Sequence, residues 1–263
     1  MNFQEGAIFA IDKPYRMSSF GALAHVRYLI SKKVGVKRVK TGHAGTLDPL
    51  ATGVLIICTG KCTKQIEQLQ GQTKEYTATL QLGATTASYD REHTVNQTFP
   101  TKHITLELIQ RTLTQFEGNI MQVPPVYSAC MVDGHRAYKM ARRGDEVQLA
   151  PKPVRIDEIE LLEFHPDTMQ MSIRVVCGKG TYIRSLARDI GRALASGAFL
   201  TSLRRTRVGD FRVEDSVSFD HFQEWLDEQS RAVFRPVESD RGSVEVGVLQ
   251  IGGHIEHCID IER

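Results

Sequence analysis

The chain has 263 residues, of which 41% are hydrophobic and 24% charged. This is the composition of a folded globular protein, and it excludes general disorder, a collagen-like fibre and a membrane-spanning chain. Lys and Arg number 33 against 31 Asp and Glu, a net charge of +2 that neither requires nor excludes a nucleic-acid partner. The opening Met1-Asn2-Phe3-Gln4-Glu5 has no leading basic cluster, and the apolar run from Ala7 stops at Asp12. A secretory leader needs about 7–15 apolar residues, so a cytoplasmic protein is expected. Five cysteines without CxxC spacing argue for reduced, buried thiols rather than a disulfide framework or a zinc site.

In chain order, Ala7 to Ile11 reads as a short strand. Ser18 or Ser19 can cap a helix running to about Lys33, with Leu23, Val26 and Ile30 inward and Gly35 past its end. Residues 36–53 look irregular. Val54 to Cys58 is an unbroken apolar run, as in a strand buried on both faces. Thr63 to Leu69 fits a short helix ended by Gly71. Between Glu75 and Leu82, Tyr76, Ala78, Leu80 and Leu82 alternate with polar residues, the period of a half-buried strand. Thr105 can cap a helix with Ile109, Leu113 and Phe116 inward, ended by Gly118. Residues 123–148 are polar, turn-rich and basic, as in an insertion. Ile173, Val175 and Cys177 alternate in another strand. Thr181 to Ser196 carries a helical stripe of Ile183, Leu186, Ile190 and Leu194, with Gly197 as its stop. Ser218 is a candidate cap for a last helix holding Phe222, Trp225 and Leu226. Strands and helices mix without regular βαβ alternation, so the expected class is α+β with a mixed, largely antiparallel sheet flanked by helices.

The basic residues are clustered. Lys32, Lys33, Lys37, Arg38 and Lys40 fall in a stretch without an acid, Arg136, Lys139, Arg142 and Arg143 form a second group, and Arg204, Arg205 and Arg207 a third. Arg184, Arg188 and Arg192 recur at i, i+4, i+8, along one helix face. Screening confines each charge to roughly 10 Å, so a near-neutral total is compatible with a segregated phosphate-binding surface. The densest motif runs from Gly42 to Gly53: three glycines, His43, and Asp48 followed by a proline that disfavours helix at the aspartate. It lacks the GxxxxGK[ST] spacing of a phosphate loop.

This segment, followed by Gly60-Lys61-Cys62-Thr63-Lys64, resembles the signature of the bacterial TruB family of tRNA pseudouridine synthases. Lys13-Pro14 with Ser18-Ser19 is similar to the family's opening KPxGxSS, from which Tyr15-Arg16-Met17 departs. Lys74-Glu75-Tyr76 matches the family's tyrosine strand. Pro124 to Ala129, with Gly134, Tyr138, Ala141-Arg142 and Gly144, matches its RNA-gripping insertion. Cys177 to Arg184 and Leu203 to Thr206 complete the resemblance, over about residues 7–237. Met131 stands where the family often has lysine, and Ala87 where it often has an acid, while Asp90 is retained.

The resemblance implies a pseudouridine synthase fold over residues 1–237, with 123–148 as the RNA-gripping insertion. A short C-terminal tail, 238–263, is expected after it, without a complete PUA-type RNA-binding domain. It implies isomerisation of uridine-55 in the tRNA T-loop, without cofactor or metal. Asp48 is then the catalytic carboxylate, acting as nucleophile or base, and Arg184 its cationic partner. Tyr76 stacks on the target base, Tyr182 lines its pocket, and His43 fills the space the flipped nucleotide leaves. Lys64, Asp90, Tyr127, Arg142, Lys179, Arg204 and Arg205 fall at RNA-contacting motifs. The expected partner is tRNA, with no membrane, no obligatory protein partner and a monomeric enzyme. A non-catalytic RNA-binding protein and a synthase for another RNA are the alternatives.

Overall fold

The computed structural model describes residues 1–231 except Ala129, Asp133, Gly134, Tyr138, Lys139, Ala141, Arg142 and Glu146. In chain order the elements are β1 (Ile8–Lys13), α1 (Ser19–Lys33), β2 (Thr41–Ala44), β3 (Thr52–Thr59), α2 (Ile66–Gly71), β4 (Lys74–Leu82), β5 (Ala84–Thr86) and β6 (Val95–Thr98). Then follow α3 (Leu106–Leu113), β7 (Gly118–Gln122), β8 (Met131–Val132), β9 (His135–Arg136), β10 (Lys152–His165) and β11 (Gln170–Cys177). The last are α4 (Ile183–Ala193), β12 (Ala198–Val208), β13 (Phe211–Arg212), β14 (Val217–Ser218) and α5 (Phe222–Arg231). The expected α+β class is observed. Among the described residues no helix is long and apolar enough to cross a membrane.

The chain divides into two compact units. The first comprises Met1–Pro49, Gly53–Gln70 and the chain from Asp210 onward, and the second Leu50–Thr52 and Gly71–Gly209. In the first unit, β1 pairs antiparallel with β3 and parallel with β14, and β2 pairs antiparallel with β3. Phe9 lies opposite Ile57 and Ile11 opposite Leu55. Ala22, Leu23, Val26 and Ile30 of α1 and Phe222 and Leu226 of α5 cover these four side chains. Burying a side chain of this size contributes about 1.5–3 kcal/mol. Phe3, Phe9, Phe222 and Trp225 extend the core with ring centroids 5.2–6.3 Å apart. Helix α1 starts as expected, with Ser18 Oγ accepting from the Gly21 N–H at 3.0 Å. Past its C-cap, Gly35 takes a left-handed turn (φ 71°) and the Val36 N–H reaches back to Ser31 O.

In the second unit, β12, β4, β11, β10 and β7 lie side by side, each pair antiparallel. The alternation along β4 is observed: Lys74, Tyr76, Ala78, Leu80 and Leu82 are buried and the residues between them only half-buried. Helix α4 rests on β12 and β4. Gly191 permits that contact, since a Cβ there would lie 2.4 Å from the backbone N of Ala198.

Several expectations need correction. Residues 36–53 are not wholly irregular, because Thr41–Ala44 adds a strand to β3 through register pairs from Thr41↔Thr59 to Ala44↔Ile56. Helix α4 starts at Ile183, leaving Thr181 and Tyr182 in the preceding loop. Its stop is Ala195, in the left-handed region at φ 49°, with the Ser196 N–H closing on Gly191 O. Gly197 is instead packed against the Phe99 ring, where a Cβ would come within 2.5 Å. Ser218 lies in β14 and does not cap α5. The four cysteines among the described residues, Cys58, Cys62, Cys130 and Cys177, are free and buried, as expected.

Candidate active site

Asp48 belongs to the first unit, in the loop between β2 and β3. The residues on either side of it are held from inside that unit. Ser19 Oγ donates to Leu47 O at 2.9 Å and accepts from the Leu47 N–H at 2.8 Å. Lys13 is fully buried, and its ammonium donates to Pro14 O (2.8 Å), Met17 O (2.6 Å) and Pro49 O (3.4 Å). A buried ammonium is tolerable only with such donors satisfied, so these bonds are costly to break. Asp48, half-buried, is thus carried on a loop with both neighbours anchored. His43 lies in β2, opposite Ile57. Gly42 beside it lies close to Ile66, where a Cβ would come within 2.4 Å of Cδ1, the movable end of that side chain. Lys64 is exposed on the 3-10 turn Gly60–Gln65.

The other three catalytic candidates lie in the second unit. Tyr76 is buried on β4, in register with Val175 on one side and Arg205 on the other. The Tyr182 N–H donates to Gln122 Oε1 at 2.8 Å. Burial raises the pKa of the Tyr182 hydroxyl; the Cys130 thiol raises it further, and a hydrogen bond with Ser128 works against the rise. The phenol therefore stays protonated at neutral pH.

Arg184 is 4% exposed, on the first turn of α4. Its Nη1 donates to Ser88 O at 3.2 Å, its Nη2 to Tyr127 O at 2.9 Å, and its Nε lies 3.7 Å from Asp90 Oδ2. Asp90 is fixed in turn: its Oδ1 accepts from Ser88 Oγ (2.5 Å) and from the Glu92 N–H (2.9 Å), and its carbonyl from Thr86 Oγ1 (2.6 Å). Tyr127 packs its ring against His93, centroids 4.5 Å apart. The fold therefore gathers Arg184, Asp90 and Tyr127, and separately Tyr182, Gln122 and Ser128.

Lys179 is exposed. Arg204 is half-buried and its Nη1 donates to Thr52 Oγ1 at 3.2 Å. Arg205, expected at an RNA-facing position, is only 1% exposed. It adjoins Lys74, whose pKa is lowered to about 8 by burial and by the Arg205 charge. The Lys74 ammonium donates to Gln72 O. Burial also pushes the Cys177 thiol up to about 11. The expected basic face of α4 is likewise mostly internal. Arg188 is buried, donating to Val123 O (3.0 Å) and Asp189 Oδ1 (2.8 Å), and Arg192 alone of the three is exposed. Lys33 is tied to Asp227 at 2.5 Å. Arg142, Gly134, Tyr138, Ala129 and Ala141 lie outside the described residues, as does the tail 238–263. Met131, the lysine departure, is exposed.

Sequence reasoning did not find the structural roles of Ser88, Gln122 and Ser128. Ser88 carried a weak signal, two residues before an aspartate, the spacing of a side-chain turn. Gln122 carried none, because its role is made by tertiary contact alone.

The chain matches the model of the TruB family pseudouridylate synthase N-terminal domain over residues 32–183. The model of the tRNA pseudouridylate synthase B C-terminal domain matches over 184–240. Among curated relatives, tRNA pseudouridine synthase B of Bacteroides thetaiotaomicron is 61% identical over 231 residues, covering 87% of this chain and 96% of the relative. The same-named protein of Flavobacterium johnsoniae is 51% identical, covering 85% and 97%. Among solved structures, a crystal structure of a Cbf5-Nop10-Gar1 complex contains a chain 29% identical with a TM-score of 0.63, covering 87% of this chain. This chain spans 58% of that one. With its motifs, its fold and these matches taken together, the chain belongs to the TruB family of pseudouridylate synthases.

Proposed function

We propose that the chain isomerises uridine-55 in the T-loop of tRNA to pseudouridine, with Asp48 as the catalytic carboxylate acting on a flipped-out nucleotide. The observation that supports this role most strongly is the double anchoring of Leu47 and Pro49 by Ser19 and Lys13. A carboxylate that must meet a sugar carbon needs such a fixed backbone, because reactive geometry fails with small displacements. The relatives' shared name, tRNA pseudouridine synthase B, supports the choice of RNA.

In the reaction the C1′–N1 bond breaks, the uracil turns, C1′ bonds to C5, and the proton that C5 then loses is balanced by the one that N1 gains. Asp48 attacks the sugar or takes a proton from it. Tyr76 offers its ring to the base, and the Tyr182 phenol, protonated at neutral pH, remains a hydrogen-bond donor. Arg184 supplies the cation, its planar fork already oriented by Ser88 O and Tyr127 O. His43 takes the space of the extruded nucleotide, offsetting an unstacking cost of a few kcal/mol. Lys64, Lys179, Arg204 and Arg142 contribute phosphate contacts, which position RNA without reading its sequence. The enzyme works in the cytoplasm, where tRNA is matured, as a monomer with no obligatory protein partner. Residues 1–237 form the catalytic region, with 123–148 gripping RNA.

The test is incubation with unmodified tRNA followed by chemical mapping of pseudouridine. Product at the T-loop uridine is expected. Tight binding without product would favour a non-catalytic RNA-binding protein, and product only in ribosomal RNA would favour the other alternative.

A further inference from the structure

The turn between β1 and α1 holds a backbone conformation that its sequence does not favour. Arg16 has φ 62°, in the left-handed region, where a side chain is strained and glycine is relaxed. The family pattern KPxGxSS has glycine at this position, so the chain keeps an arginine where the backbone prefers none. Its guanidinium lies over the Tyr15 ring, 5.5 Å from the centroid. Both residues are exposed, Tyr15 by 48%, and Phe20 beyond them by 68%.

This turn is joined to the Asp48 loop within the first unit. Met17 O and Pro49 O are both within 3.4 Å of the one Lys13 ammonium. Ser19, between Arg16 and Phe20 in sequence, grips Leu47. The turn that carries Tyr15 and Arg16 is therefore bonded to the Asp48 loop through Lys13 and Ser19, and both side chains are exposed.

We propose that Arg16, oriented by stacking on Tyr15, is a substrate-binding residue that takes a backbone phosphate of the RNA beside the target nucleotide. The inference rests on the function proposed above. A guanidinium is the side chain best suited to a phosphate, since its planar fork donates two parallel hydrogen bonds, and a ring beneath it holds the fork in orientation.

The test compares wild type with Arg16→Gly and Arg16→Lys, using full-length unmodified tRNA. Arg16→Gly relaxes the turn, so it is expected to melt no lower than wild type. It is nevertheless expected to bind tRNA roughly tenfold more weakly near 0.1 M salt, with the slope of log Kd against log salt reduced by about 0.7–0.9, the loss of one phosphate contact. The accompanying loss in kcat/KM falls on KM. Arg16→Lys keeps the salt slope and recovers part of the affinity. Wild-type affinity and salt slope in Arg16→Gly would overturn the proposal, and so would a loss of affinity equal to that in Arg16→Lys. If wild type itself makes no pseudouridine, the proposed function fails instead, which the mapping experiment reads separately.

Discussion

Ser19 is a small residue with a large consequence. Its one hydroxyl satisfies both the N–H and the C=O of Leu47, the residue before Asp48. Ser19→Ala leaves both groups without that partner in a buried setting, at a cost of about 1–3 kcal/mol. A lowered melting temperature and a lowered kcat are expected together, since Asp48 rides on this backbone; a lower melting temperature with unchanged kcat would contradict the anchoring argument. Arg184→Lys should lower kcat by about 10²-fold or more, because a compact ammonium lacks the planar fork whose separate nitrogens reach Ser88 O, Tyr127 O and Asp90 in fixed directions. Lys74 predicts a pH effect. Its folded pKa of about 8 lies below its ordinary value of 10.5. Below pH 8 both folded and unfolded chains hold the proton and the folded state bears the full penalty of a buried charge. Between about 8 and 10.5 the folded state loses the proton first, so stability from this group rises with pH. Relative to Lys74→Met, the wild type should gain stability across that window, by about 3 kcal/mol at most. Denaturant midpoints at pH 7.5 and pH 10 check this, and an unchanged difference would refute it. At this scale the legible residues were those in dense local motifs, such as Asp48 between its glycines. Arg205 misled because charge alone says nothing about which face of a strand an arginine occupies. Its register opposite Tyr76 puts it inside.

Among the elements, some strong local signals hold, while others, such as Gly197 as a stop and Ser218 as a cap, do not. The alternation of β4 and the caps Ser18 and Thr105 survive intact, because each depends on neighbours a few residues away. The 14-residue β10 and the 11-residue β12 were not foreseen. Their alternation is broken by register shifts between Ile156 and Glu158 and between Arg205 and Arg207, so no strict period of two runs through them. The apolar stripe of helix α4 is legible, but the i, i+4, i+8 spacing of Arg184, Arg188 and Arg192 does not make a basic face open to RNA. Arg188 is instead drawn inward by Val123 O and Asp189. The close approach of α4 to β12 gives a prediction that runs against helix propensity. Gly191→Ala should favour an isolated helix by nearly 1 kcal/mol. In the fold its methyl meets the Ala198 backbone, and overpacking of this kind costs about 1–3 kcal/mol. A lower melting temperature for the variant is expected; a rise would mean that α4 does not pack so tightly.

For the whole molecule, the net charge of +2 concealed more than it revealed. Part of the basic excess is internal, in Lys13, Lys74, Arg184, Arg188 and Arg205, all buried. What remains for RNA is exposed charge such as Lys37, Arg38, Lys64 and Lys179, together with Arg16. The division into two units was not legible, because the first is assembled from distant segments of chain. The relative from B. thetaiotaomicron aligns over 96% of its own length with 231 residues of this chain, and the family models end at residue 240. A chain truncated after Asp240 is therefore expected to retain its kcat/KM on T-loop RNA; a large loss would give the tail a role in the reaction. The most direct test of the central claim is single-turnover pseudouridine formation on unmodified tRNA by wild type and Asp48→Asn, with tRNA binding measured alongside. The account predicts product at the T-loop uridine from wild type and none from Asp48→Asn, with tRNA affinity largely kept. Normal turnover by Asp48→Asn would contradict it.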